Sequence, residues 1–114
     1  MEADLAAWGK AISLETVGRR TGQPRRVTIG FVEEPRGTLL VAASSDTTQW
    51  AQNLIVEPSC YVDVAGSRRP AVAEPLEGPA RDAAVAALIL KYGTPAERLG
   101  GGPAFRLVTR PAHP

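Results

Sequence analysis

The chain is short of the side chains that most polar chemistry uses. It has one cysteine, one histidine and two each of Trp, Tyr and Phe in 114 residues. A lone Cys60 excludes an intramolecular disulfide, and its apolar neighbours Tyr61 and Val62 make it a small core residue. The single histidine, His113, sits in the proline-flanked tail 111–114, which is expected to fray. No metal site is therefore expected, and no Cys–His or Ser–His nucleophile. There is no GxxxxGK[ST] and no GxGxxG opening a helix, which excludes a P-loop or a Rossmann cofactor crevice. No apolar run approaches the length of a membrane span and no signal peptide is evident, so a soluble cytoplasmic protein is expected. A net charge of +1 argues against a general nucleic-acid binder.

Against that balance, one stretch stands out. Gly18-Arg19-Arg20-Thr21-Gly22-Gln23-Pro24-Arg25-Arg26 carries four arginines and no acid. β-Branched residues flank it (Ile12 and Val17 before, Val27, Thr28 and Ile29 after), which places it at a hairpin turn. Glycines there can take positive φ and aim backbone N–H groups at one point, while guanidinium forks donate in pairs to phosphate or carboxylate. A solvated, charge-decorated turn has the same composition. Alternation turns Arg26 away from Arg25, to the other side of the strand. Arg68-Arg69, at a second hairpin, reads as a solvated turn.

Periodicity gives the rest. A lead-in helix within residues 1–10 stops at Gly9. Strands follow at about 11–17, 25–33 and 38–44, the last two joined by the Glu34-Pro35-Arg36-Gly37 turn. The run 38–44 is nearly all apolar and reads as a central strand covered on both faces. Asp46 or Thr47 can cap a helix over 48–56 in which Trp50, Asn53, Leu54 and Glu57 share a face, with Pro58 ending it. Strands 60–65 and 68–77 meet at Gly66-Ser67, and Pro70 and Pro75 make the second an edge or bulged strand. A second helix starts near Pro79, carries Ala83, Ala84, Ala87, Leu88 and Leu90 as its apolar stripe and stops at Gly93. After Gly100-Gly101-Gly102-Pro103 comes a last strand, 104–110. Six strands with helices after the third and fifth cannot alternate as βαβ units. The expected fold is mainly β with two or three helices: one domain over 1–114, an antiparallel barrel with helices at its openings.

Leu14 to Arg25, then Val41-Ala42-Ala43-Ser44, Trp50-Ala51-Gln52-Asn53-Leu54 and Glu57-Pro58, in this order and spacing, resemble the deazaflavin-dependent nitroreductase family. The resemblance spans about residues 14–64. It implies a six-stranded split β-barrel that binds coenzyme F(420), an 8-hydroxy-5-deazaflavin with a phosphodiester and a polyglutamate tail. It further implies that Arg19, Arg20 and Arg25 meet the phosphate and the acidic tail. Ala42, Ala43 and Ser44 would run along the ring, Ser45 would stand by the helix N-terminus that adds partial positive charge to the cofactor site, and Trp50 and Asn53 would come from the helix closing over it. Trp50 fits a plain core anchor equally. The chain departs from the family at Ser45-Asp46-Thr47, where relatives carry a lysine and glycines. Among aromatics before the final strand, Tyr92 is the one candidate for the acceptor pocket or for catalysis.

The implied activity is hydride transfer from reduced coenzyme F(420) to a small electron-poor acceptor such as a quinone, enone or nitro compound. Such chemistry needs orientation and a dry pocket rather than a strong side-chain base. Two alternatives keep the barrel: an FMN- or FAD-binding reductase, and a non-catalytic carrier of deazaflavin or a lipid-like ligand. A homodimer is the expected assembly.

Overall fold

The computed structural model describes residues 11–93 and 101–109. The lead-in helix, Gly100 and the tail with His113 lie outside the described residues. Seven strands and two helices follow in the order β1 (Ile12–Val17), β2 (Pro24–Ile29), β3 (Val32–Glu33), β4 (Leu39–Ala42), α1 (Gln49–Val56), β5 (Ser59–Val64), β6 (Ser67–Leu76), α2 (Gly78–Tyr92) and β7 (Ala104–Thr109). All neighbouring strands are antiparallel, in the order β2-β1-β5-β6-β7-β4-β3.

The expected strand 25–33 is thus two strands, broken at Gly30-Phe31. They sit at opposite ends of the sheet order, yet only two residues separate them. A link that short spans at most about 10 Å. The two outer edges must therefore lie side by side, and the sheet curls into a split barrel. Helix α2 pins the closing link. The Tyr92 hydroxyl accepts from Phe31 N–H at 2.9 Å and donates to Phe31 C=O at 3.1 Å, and Lys91 Nζ donates to the same carbonyl at 2.7 Å. A Cβ on Gly30 would meet the Tyr92 ring at 3.0 Å, so the residue at the closure is glycine for want of room.

Alternation sorts the core. Ile12 and Leu14, Cys60 and Val62, Ala71 and Ala73, Phe105 and Leu107 point into the barrel with Leu39 and Val41. The opposite parity of β4, Leu40 and Ala42, is covered from outside by Ala84, Val85 and Leu88 of α2. The strand is buried on both faces as its composition predicts, although it lies next to the end of the sheet order rather than at its centre. The α2 stripe is Ala84, Val85 and Leu88; Leu90 is 89% exposed and Ala83 faces solvent. Gly93 ends the helix with φ 76°.

Pro75 of β6 is accommodated by stagger. β6 pairs with β5 through Ser67–Val72 and with β7 through Ala71–Leu76. Pro75 pairs with Phe105 of β7 and lies beyond the start of β5, so it occupies a one-sided segment of an interior strand; Pro70 pairs with Tyr61 of β5. The β5–β6 turn is centred on Ala65 (φ 51°) and Gly66 (φ 84°), one residue earlier than expected, as two positive φ angles at its centre require. Among the described residues, no helix is long and apolar enough to cross a membrane.

Candidate functional site

The arginine stretch is the β1–β2 hairpin, with Val17 opposite Pro24. Gly18 N–H donates to Gln23 C=O and Gly22 N–H to Gly18 C=O, both at 2.8 Å. Of the two glycines only Gly22 takes positive φ, at 73°. Gly18 is needed for space instead, since a Cβ there would press on Gln23 O and Thr21 Oγ1 at 3.0 Å. A cavity of about 490 Å³ opens between this hairpin and the first turn of α1, lined by Thr16, Gly18, Arg19, Arg20, Thr21, Arg25, Arg26, Val27, Gln49, Trp50 and Asn53. That volume suits a small-molecule ligand. Four arginines and no carboxylate line it; the Arg26 guanidinium is bonded to Glu15, whereas none of Arg19, Arg20 and Arg25 makes an ion pair among the described residues. The lining is electropositive, and the N-terminal end of α1 adds partial positive charge to it.

Asn53 ties the hairpin to α1. Its Oδ1 accepts from the Arg19 backbone N–H at 3.2 Å and from Arg19 Nη1 at 2.9 Å, while its Nδ2 donates to Thr16 Oγ1 at 3.1 Å. Asn53 (4% exposed) and Thr16 (1%) are the buried polar residues of the described chain. Trp50 is half-buried, lines the cavity and packs on the core, with its ring 6.1 Å from Phe105 at 55°. Trp50 thus packs as a core anchor while one side of it faces the cavity.

The outer face of the same strands carries a separate charge cluster. Glu15 receives Arg26 Nη2 at 3.1 Å and a fork from Arg68 at 3.2 and 2.9 Å. Arg26 does turn away from Arg25, toward Glu15. Arg68 is not a solvated turn residue: it is committed to Glu15 and stacks 4.2 Å above the Tyr61 ring. The two guanidinium groups, Arg68 first, hold the Glu15 carboxyl below its ordinary value. Cys60 is buried, and desolvation pushes its thiol up to about 11, so it is unsuited to nucleophilic work at neutral pH.

The structure brings Arg19, Arg20, Arg25, Trp50 and Asn53 around one cavity. It does not bring Ala42, Ala43, Ser44 and Ser45 to that lining. Gly101 and Gly102 cross over this strand end instead: Ala43 N–H donates to Pro103 C=O at 2.8 Å, and a Cβ on Gly102 would fall 2.5 Å from Ala43 O and 2.7 Å from Ser45 N. The small residues here admit a backbone. Ser45 Oγ accepts from Thr47 N–H at 3.2 Å, and the helix cap is Thr48 rather than Asp46 or Thr47. Glu57 is exposed as the C-cap, and Ala51 joins Asn53 and Leu54 on the buried face of α1. Tyr92 is engaged with Phe31 at the barrel closure and is not among the residues lining the cavity. Conversely, the sequence reading missed Thr16 and Gln49. Thr16 had a signal: it continues the inward parity of Ile12 and Leu14 with a hydroxyl.

The barrel matches known structures. An F420-H2 dependent reductase (FDR-A) is similar at a TM-score of 0.72 and 24% identity, over 86% of this chain and 93% of that one. The heme storage protein HutZ of Vibrio cholerae matches at 0.71 and 21%, over 96% and 87%. A structure described as a domain-swapped dimer matches at 0.70 and 23%, over 86% and 79%. Similarity this distant establishes the split-barrel fold. No curated protein matches the chain. The family model for F420H(2)-dependent quinone reductase matches residues 5–97, and the chain belongs to that family.

Proposed function

We propose that this protein binds coenzyme F(420) in the arginine-lined cavity and reduces a small electron-poor acceptor, a quinone first and an enone or nitro compound by the same chemistry. The observation that carries the reading is the lining itself: Arg19, Arg20 and Arg25, none in an ion pair among the described residues, with no acid beside the indole of Trp50. That donor set fits a cofactor with an apolar ring and an anionic tail. Arg20 and Arg25 hold the phosphodiester and carboxylates, the Trp50 indole offers an apolar wall to the ring, and Val27 extends it. Reduced coenzyme F(420), when bound, supplies the hydride. The chain's part is to bind, orient and exclude water. In this assignment the ring lies beside Trp50 and Val27 rather than on Ala42–Ser45, none of which lines the cavity.

Parallel titrations with coenzyme F(420), FMN and FAD test the cofactor. Tight binding of FMN or FAD in preference to the deazaflavin would overturn it. Anaerobic mixing with reduced coenzyme F(420) and a quinone should restore the near-violet absorbance of the oxidised cofactor. Binding without turnover across a panel of acceptors would make the protein a carrier, a role for which the fold's occurrence in a heme storage protein gives precedent. We also propose a homodimer through the outer face of β1, β5 and β6, where Val17 and Tyr61 are 40% and 44% exposed. Sedimentation equilibrium should then give twice the chain mass.

A further inference from the structure

We infer that Asn53 is a positioning residue that divides the arginines of the hairpin into one that is held and two that bind. The inference rests on reading the cavity as an anion site. Both lone pairs of Asn53 Oδ1 are taken, one by the backbone N–H of Arg19 and one by its Nη1. One Nδ2 hydrogen is taken by Thr16 Oγ1. A side chain 4% exposed with three of its four hydrogen bonds made inside the protein has no acceptor left for a ligand. It thereby joins three elements: strand β1 through Thr16, the hairpin through Arg19, and its own helix α1. All three line the cavity.

Bonding at both the amide and the guanidinium fixes Arg19 at two points, folding its head back toward α1. Arg20 and Arg25 have no such restraint among the described residues. They extend from a hairpin whose base is fixed, so less ordering is required when an anion arrives. Asn53 thus acts on the ligand through Arg19 and the hairpin, not by contact. Thr16 is the anchor beneath it: a hydroxyl at an inward position where Ile12 and Leu14 are apolar, present to satisfy Asn53.

Three substitutions separate this role from a direct contact. Thr16→Val keeps the shape and leaves the buried Asn53 Nδ2 without a partner; Thr16→Ser keeps the hydroxyl. Asn53→Asp keeps both acceptor positions for Arg19, and the Thr16 hydroxyl can reverse and donate to the new carboxylate, so the clamp survives with an added negative charge. Amide hydrogen exchange is read over residues 18–23 in the ligand-free protein, and affinity is read by titration with inorganic pyrophosphate and, separately, with coenzyme F(420). Thr16→Val should speed exchange at the Arg19 amide and weaken pyrophosphate binding severalfold, because a hairpin released from Asn53 must be ordered when the anion binds. Thr16→Ser should restore both. Asn53→Asp should leave exchange as in the wild type while weakening both ligands, a loss that rising salt narrows.

Unchanged hairpin exchange in Thr16→Val, or accelerated exchange in Asn53→Asp, would overturn the positioning role. Asn53→Leu, which removes all three bonds, should exchange at least as fast as Thr16→Val, and protection equal to the wild type there would also refute the clamp. The two readings fail separately: a wild-type protein that ignores coenzyme F(420) refutes the proposed cofactor, whereas the exchange pattern in free protein judges Asn53 alone.

Discussion

Arg25 and Arg26 are neighbours on β2, and the structure gives them opposite duties. Arg25 stands across the ladder from the inward Thr16, while Arg26 stands across from the outward Glu15 and bonds to it at 3.1 Å. Replacing each with alanine should therefore give different results. Arg25 makes no ion pair among the described residues and lies exposed at the cavity, so its loss leaves no protein group unsatisfied. What is lost is one charge-assisted contact to the cofactor's tail. Two unit charges at 4 Å attract by about 1 kcal/mol in bulk water and about 4 kcal/mol near a protein surface. A half-open cavity lies between these limits. Arg25→Ala should thus cost about 1–3 kcal/mol of binding, about 5- to 150-fold in Kd.

For Arg26→Ala the expectation is a Kd within about twofold of the wild type, because its guanidinium is engaged outward and exposed pairs contribute little. Glu15 would keep its fork from Arg68. Neither change should lower the melting temperature much. Calorimetric titration of coenzyme F(420) at about 0.05 and 0.5 M salt is the assay, since the Debye length shortens severalfold across that range and should erode the Arg25 contribution selectively. Equal losses for the two variants, or none for Arg25→Ala, would refute the assignment of inward and outward charges.

Other expectations concern the frame. Gly102→Ala would place a methyl 2.5 Å from Ala43 O and 2.7 Å from Ser45 N, backbone atoms that cannot rotate away, and should cost about 1–3 kcal/mol of stability by denaturant titration. Glu34 is held below its ordinary value of 4.5 by hydrogen bonds from Arg106 and then Thr38; with the folded value lowered, its stabilisation is complete above 4.5 and lost as pH falls through that lowered value. Glu34→Gln should therefore flatten the acid side of the stability profile measured by urea unfolding. Trp50→Phe should lower both cofactor affinity and melting temperature, because one ring serves cavity and core; a change in stability alone would remove Trp50 from the site.

Alternation made much of this legible. It gave the hairpin, the outward turn of Arg26 and the two-faced burial of β4, since a period of two assigns faces whatever the fold. Other features answer to neighbours distant in sequence. The run Arg25 to Glu33 reads as one strand because Gly30-Phe31 has no turn signature. It breaks because Tyr92, 61 residues on from Phe31, packs at the closure. Ala42-Ala43 reads as a platform for a flat ring, yet small residues serve any close approach of backbone, and here Gly102 makes it. The prolines of β6 suggest an edge or bulged strand, yet β6 is interior, between β5 and β7; Pro75 is tolerated because β5 does not reach it.

Two consecutive residues of β1 connect these observations. Glu15 faces outward and draws Arg26 and Arg68 to the outside of the barrel; Thr16 faces inward, holds Asn53 and through it Arg19. The strand's pleat thus sorts a dense run of positive charge into paired, pinned and available arginines. Like charges crowded on one hairpin repel, and without Glu15 to pair with the Arg26 guanidinium the cavity would have a fourth cation in no ion pair. The acid on the outer face and the hydroxyl on the inner one are what leave Arg20 and Arg25 open to an anion. A chain keeping all four arginines but carrying Glu15→Ala would accordingly bind pyrophosphate with altered salt dependence while losing no contact to it.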